Sequence, residues 1–285
     1  MTVNWSRWGE DDERGALNLL TPDRVLAALG QPGTGRIDCL GRRISPEAPS
    51  SPRRNPVWQL TVQNQHPSGR GAADDILVMH SHNGTHIDAL CHYWGDDRQL
   101  FNGVSPRGIG RNGSDRLGVH NLGGVVARAV LLDLTDVCPT GAAGHGFEIA
   151  VEHIEAAQRA AGVTIGAGDV VLLATGWETQ LTDDPEVYHW GEPGIGPDAA
   201  RWLAERDVIA VGADTWGIEV VPPPQRGHGL SVHQLLLNSY GVYLIENLHL
   251  ADVRVTPGAG AYLFVVAALP IAGGTASPVN PLLIS

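Results

Sequence analysis

The chain has 285 residues, of which 43% are hydrophobic and 18% charged, and carries a formal net charge of −12. That composition suits a globular protein with a substantial core and excludes a disordered one. An acidic balance with no compensating basic stripe argues against nucleic acid and anionic membrane as partners.

No stretch approaches the roughly 18 apolar residues of a membrane span. The opening Met1-Thr2-Val3-Asn4-Trp5 lacks the basic region and apolar run of a signal peptide. Cys39, Cys91 and Cys138 are isolated and odd in number, so neither a disulfide framework nor a CxxC pair is expected. The expected setting is reducing and cytoplasmic.

In chain order, Thr21-Pro22 opens a short helix with Thr as cap and Pro at the first helical position, and Gly30 closes it. Residues 31–75 are rich in Pro, Gly, Arg and Ser and read as loops and edge strands, with Val57 to Val62 extended. Ile76-Leu77-Val78-Met79 begins a series of apolar runs that continues at Val125 to Leu134, Val170 to Ala174, Val208 to Val211, Val242 to Ile245 and Tyr262 to Leu269. Such runs suit strands buried on both faces. Helical patterns lie between them. Val151 to Ala161 carries Ile154, Ala157 and Ala161 on one face and a Glu155–Arg159 pair, with Gly162 as its stop. Pro197 to Leu203 opens a second helix and Val232 to Leu237 belongs to a third. The alternation predicts an α/β class with a mixed sheet, as one domain over residues 1–285 whose first 30 or so residues form an N-terminal extension.

The chemistry concentrates in His82-Asn83-Gly84-Thr85-His86-Ile87-Asp88 with His92 after it. Neutral imidazoles and a carboxylate together bind Zn²⁺, Mn²⁺ or Fe²⁺, and a nearby uncommitted base then acts on metal-bound water. In an extended segment His86 and Asp88 point to one side. His82, His86 and Asp88 therefore make a three-ligand face with open positions. His92, four residues beyond Asp88, is the expected general base or acid. Cys91 is a competing nucleophile. Trp58, Trp94, Trp177 and Trp216 are candidates to line a pocket for a flat substrate, because indole stacks on planar rings. Among the remaining histidines His228 stands out, five residues before His233. Gly108-Ile109-Gly110-Arg111-Asn112-Gly113 matches GxGxxG literally but follows no apolar strand and opens no helix, so it reads as a loop.

The string His82-x-Gly84-Thr85-His86-x-Asp88-x-x-x-His92 resembles the HxGTHxDxPxH signature of the putative-cyclase family, which includes bacterial kynurenine formamidase and isatin hydrolase. Leu90 stands where the family commonly has proline. The likeness extends to Trp5-Ser6-Arg7-Trp8-Gly9, Gly168 to Leu173 with Thr175-Gly176-Trp177, and Gly212-Ala213-Asp214-Thr215, where Trp216-Gly217 replaces a frequent Pro-Ser.

Val232-His233 and Ile245-Glu246 resemble the family's C-terminal His…Glu pair, so the resemblance implies that His233 and Glu246 complete a two-metal site bridged by the motif aspartate. A carboxylate such as Glu246 inside an apolar strand must in any case be paired or metal-bound to offset its desolvation. Against a pair of ions stands a single tightly held ion with Glu246 supporting it from outside. The resemblance further implies a swivelling β/β/α fold, a homodimer or homotetramer, and a divalent Zn or Mn cofactor, one or two per chain.

The expected activity is metal-dependent hydrolysis of an amide, cyclic amide or lactone in a small-molecule substrate, with His92 moving the proton. Rival readings are a metal-dependent cyclase, dehydratase or isomerase, and a metal-binding protein without turnover.

Overall fold

A computed structural model describes residues 3–47, 54–223, 230–253 and 260–285. His228, singled out in the sequence, lies outside the described residues.

Nine strands form one mixed sheet. Its centre is made of the apolar runs β5 (Gly124–Asp133), β6 (Val170–Ala174), β7 (Ala210–Ala213) and β8 (Tyr243–Glu246), all parallel to one another. Parallel strands are covered on both faces, and accordingly every residue of β6, β7 and β8 is buried. Burying each such Val or Leu side chain stabilises by about 1.5–3 kcal/mol.

The flanks are antiparallel. On one side β9 (Ala261–Ala267) pairs with β5, then β11 (Leu282–Ile284) and the edge strand β1 (Ile37–Cys39) follow. On the other side β4 (His86–Asp88) pairs with β8, and β10 (Ala276–Pro278) closes the sheet. The α/β class and the mixed sheet expected from the alternation are what the structure has.

Helix boundaries follow local chemistry. Helix α1 (Pro22–Leu29) starts at the Thr21 cap, whose hydroxyl accepts from the Arg24 amide, and stops at Gly30. Helix α2 (Val151–Ala161) ends where Gly162 turns left-handed at φ +67°, and buries Ile154, Ala157 and Ala161 against β5. Helix α3 (Pro197–Ala204) lies on the same crossover layer. The third expected helix differs from a plain α-helix. One turn, Ser231–His233, continues as a π-helix over Gln234–Tyr240 and ends at Gly241, φ +67°. The N-terminal segment docks against its end, with Trp5 Nε1 donating to the Asn238 carbonyl at 2.6 Å and the Ala16 amide to the Gly241 carbonyl at 2.8 Å.

The run Ile76–Met79 corrects the expectation of a strand buried on both faces. It ends β3 (Gly71–Val78), which pairs with β2 (Trp58–Gln65) as a separate two-stranded ribbon, and all sixteen residues of the two strands are exposed. Most of its apolarity lies on one face, where Trp58 opposes Val78, Leu60 opposes Ile76 and Val62 extends the row, while Leu77 projects from the other face opposite Gln59. No helix among the described residues is long and apolar enough to cross a membrane.

Candidate metal centre

Strand β4 presents His86 and Asp88 on one face and Ile87 on the other, where it joins the core. The β4–β8 register sets His86 directly opposite Glu246, so the two side chains share that face. Gly84, at φ +64°, turns the chain before β4 and brings His82 back over it. His233 arrives from the short helix that precedes β8. With His92 from the turn that follows β4, four imidazoles and two carboxylates thus converge.

Their contacts interleave acid and base. Asp88 Oδ1 lies 2.9 Å from His82 Nδ1 and 3.5 Å from His86 Nε2, while its Oδ2 lies 3.8 Å from His233 Nε2 and 3.9 Å from His92 Nε2. Glu246 reaches His86 Nε2 at 3.1 Å with one oxygen and His233 Nε2 at 3.2 Å with the other. A tetrahedral ion with ligand bonds of about 2.0–2.2 Å separates its ligand atoms by roughly 3.3–3.6 Å, close to this spacing. Two compact groups stand out, His82–Asp88–His92 and His86–Asp88–Glu246, with Asp88 in both.

The donor set fits a divalent ion on a second count. His82 Nδ1, His86 Nε2 and both Asp88 oxygens are buried and make no aligned hydrogen bond, although they face one another at close range. Buried polar atoms are rarely left so. Meanwhile the other nitrogen of each of three rings is occupied. His86 Nδ1 bonds the Gly84 carbonyl at 2.8 Å, His82 Nε2 the Thr275 hydroxyl at 3.1 Å, and His233 Nδ1 the Glu219 carboxylate at 2.5 Å. Outer bonds of this kind fix the tautomer and aim the free nitrogen inward, as metal-bound histidines require. His92 has no such anchor among the described residues, and its side chain, 22% exposed, is the most open of the four rings.

Electrostatics follow from burial and pairing. Burial, with the charges of His86 and Arg54 added, pushes His82 well below the usual imidazole range. Burial likewise takes His92 down to about 3, although Asp88 pulls the other way. Both rings are therefore neutral, with a lone pair available. His86 and His233 go up despite burial, because Glu246 faces both and Glu219 holds His233. Asp88 is raised by burial and by its neighbour Glu246, while the hydrogen bond from His233 and the close His86 ring overcome burial and hold Glu246 well below the carboxylate range. Cys91 is fully buried, with its thiol 3.8 Å from the Gly274 carbonyl, and burial pushes it up to about 11. It is a thiol at neutral pH and a poor nucleophile.

The four tryptophans do not gather into one pocket. Trp58 stands on the exposed ribbon and Trp94 on the surface beside Arg98 and Arg107. Trp177 is 1% exposed and packs edge-on to His145 in the interior, so it offers no face to a ligand. Trp216 is half-buried, its indole donating to the Tyr188 carbonyl at 2.9 Å. Indole burial competes with ligand stacking, and here the interior takes one ring outright.

Sequence reasoning missed Glu219, which accepts from the Val232 and His233 amides as well as from the His233 ring. The signal was present: Glu219 sits in Ile218-Glu219-Val220-Val221, a carboxylate in an apolar run like that of Glu246. Arg54, which donates to the His82 carbonyl at 2.6 Å, and Thr275 had no comparable mark.

A family model described as Putative cyclase matches residues 40–220, which span β4 and its ligand loop. The chain belongs to the Putative cyclase family. No curated protein matches it. Among solved structures it is similar to a novel cyclase, 28% identical over 100% of both chains with a TM-score of 0.88. It is also similar to isatin hydrolase A from Labrenzia aggregata, bound to benzyl benzoate, at 23% identity over 92% of this chain and 97% of that one, TM-score 0.68. A potential metal-dependent hydrolase with cyclase activity is 24% identical over 87% and 98%, TM-score 0.57. These last two likenesses concern the fold.

Proposed function

We propose that this cyclase-family protein is a metal-dependent hydrolase that opens an amide, cyclic amide or lactone of a small carbonyl substrate. The observation that carries the reading is the inward aim of one nitrogen on each of His82, His86 and His233, each ring locked by an outer hydrogen bond, onto Asp88 and Glu246. These five side chains would hold the ion, and an imidazole and carboxylate set suits Zn²⁺ or Mn²⁺. With His92 kept for proton transfer, this donor set would hold one or two ions per chain. When bound, the metal supplies Lewis acidity toward a carbonyl and acidifies water. The fold shared with isatin hydrolases and with a potential metal-dependent hydrolase supports hydrolysis over metal storage.

His92 does the proton work. Among the described residues it has no outer hydrogen bond and is the most open ring of the site, which leaves it placed to accept a proton from the attacking water and pass it to the leaving group. Asp88 lies on its inner side at 3.9 Å, where a carboxylate favours the imidazolium that forms. The buried remainder excludes solvent from the far side of the ligands.

The test is turnover of small amides and lactones in water labelled with heavy oxygen, alongside metal analysis of protein purified without chelator. A labelled carboxylate in the product and one or two equivalents of Zn or Mn per chain are expected. An unlabelled product would turn the reading to cyclisation or dehydration, and a chain without metal would end it.

The protein is proposed to act as a homo-oligomer. A two-stranded ribbon is marginal alone, and the apolar face of β2–β3 packed on the same face of a second copy is self-complementary and closes the assembly.

A further inference from the structure

Strands β4 and β8 carry His86 and Glu246, yet their pairing covers only Ile87↔Ile245 and His86↔Glu246. One step further the ladder would join Thr85 to Asn247, but Asn247 is left-handed at φ +56°, outside extended geometry. Side chains take over where the ladder stops. The Thr85 hydroxyl donates to the Asn247 carbonyl at 2.6 Å, and Arg42 Nε donates to the same oxygen at 3.1 Å. The Arg42 amide donates to the Thr85 hydroxyl at 2.9 Å, so that hydroxyl is bonded from both sides.

Arg42 is itself fixed. Its Nη2 donates to the Leu248 carbonyl at 2.9 Å and to Glu178 Oε2 at 2.7 Å. The other Glu178 oxygen accepts from the Leu250 and Ala251 amides at 2.7 and 2.6 Å. Asn247 is held from behind by the Tyr188 hydroxyl on its side-chain oxygen at 2.7 Å. Thr85, Asn247 and Glu178 are all buried. A buried ion pair contributes little net stability, because desolvation offsets the attraction. What such a pair does supply is direction, since the guanidinium fork fixes several acceptors at once.

We propose that Thr85 and Arg42, braced by Glu178, form a latch that continues the β4–β8 ladder through side chains and sets the spacing of His86 and Glu246 around the metal. They are positioning residues that touch no ligand nitrogen, and the inference rests on the metal-centre reading above. Without the latch the last pair of the ladder is its frayed end, and that pair is His86↔Glu246.

The experiment compares Thr85→Val with Thr85→Ser. Affinity for Zn²⁺ and Mn²⁺ is read by competition with a chromogenic chelator, coordination geometry by the visible spectrum of the Co²⁺-loaded protein, and stability by apo-protein melting. Thr85→Val is expected to weaken metal binding about tenfold, the low end of the cost of losing a group bonded directly to a ligand, and to alter the Co²⁺ spectrum. Thr85→Ser, which keeps the hydroxyl, is expected to restore both. A folded Thr85→Val with wild-type affinity and spectrum overturns the latch, even if its apo melting point falls. Should Thr85→Val not fold, Arg42→Lys is read by the same two measurements, with wild-type values again overturning the proposal. A wild-type chain that binds no divalent ion overturns the metal-centre reading, and the latch with it.

Discussion

The ligand-bearing segment around β4 and the ribbon β2–β3 are neighbours in sequence and opposites in structure. Residues 83–91 are buried, while the sixteen residues of the ribbon's strands are all exposed. The ribbon is nevertheless the more apolar-looking of the two, with Ile76-Leu77-Val78-Met79 leading straight into His80. Hydrophobicity alone therefore does not decide burial here. Burial follows sheet membership: β4 is clasped between β8 and β10, whereas among the described residues β2 and β3 pair with each other alone. The candidate metal centre takes its shape because the polar segment, not the apolar one, was drawn into the sheet.

That contrast can be broken at several points. The largest effect is expected from His86→Ala, which removes a ligand from the buried side and should abolish metal retention and hydrolysis together. Full metal content in the purified variant, measured by mass spectrometry of the ion, would refute the assignment. Next is His92→Gln. The ring has no outer anchor, so the ion should stay while turnover falls roughly 10²–10⁴-fold. If metal leaves as well, His92 is a ligand rather than the base.

Glu219→Gln tests whether the His233 ring is aimed from behind. The expected change is about a 10–100-fold weaker metal affinity with unaltered coordination number. Unchanged affinity in a chelator titration would make Glu219 a helix brace only.

A smaller effect concerns Asp214, buried beside Thr175 in the same interior. Burial, with the charge of Glu178 added, raises its carboxyl to about 6. The folded pKa lies above the unfolded one, so the group's contribution to stability is present below about pH 4 and is lost as pH rises toward 6. Asp214→Asn keeps an oxygen for the Thr175 amide and hydroxyl, and should raise stability by about 3 kcal/mol at pH 7 with little change at acid pH. Denaturant melts at both pH values check this, and equal effects at the two would refute the shift.

The smallest change in folding stability belongs to the ribbon. Leu60→Asp should alter it by no more than about 0.5 kcal/mol, as for other exposed sites. It should lower the assembled mass in light scattering while leaving metal content untouched. A mass unchanged from wild type would dissociate the ribbon from self-association.

Much of this protein was legible in its sequence. The boundaries of α2 follow from its apolar spacing and Gly162, because capping and periodicity are local. The central strands follow from continuous apolar runs alternating with helical patterns, a spacing that suits a parallel sheet covered on both faces. The convergence of His82, His86 and Asp88 follows from a seven-residue span containing a left-handed glycine turn. Long-range choices were not legible in this way. His86 meets Glu246 only through the β4–β8 register, 160 residues apart in the numbering, and local residue types do not encode register. The Glu219 carboxylate carried a mark of its own, but its partner was fixed by where the helix carrying His233 begins. Which apolar run was buried and which stood free was settled by competition among strands for sheet edges. Sheet edges belong to the assembled fold and not to any one segment of the chain.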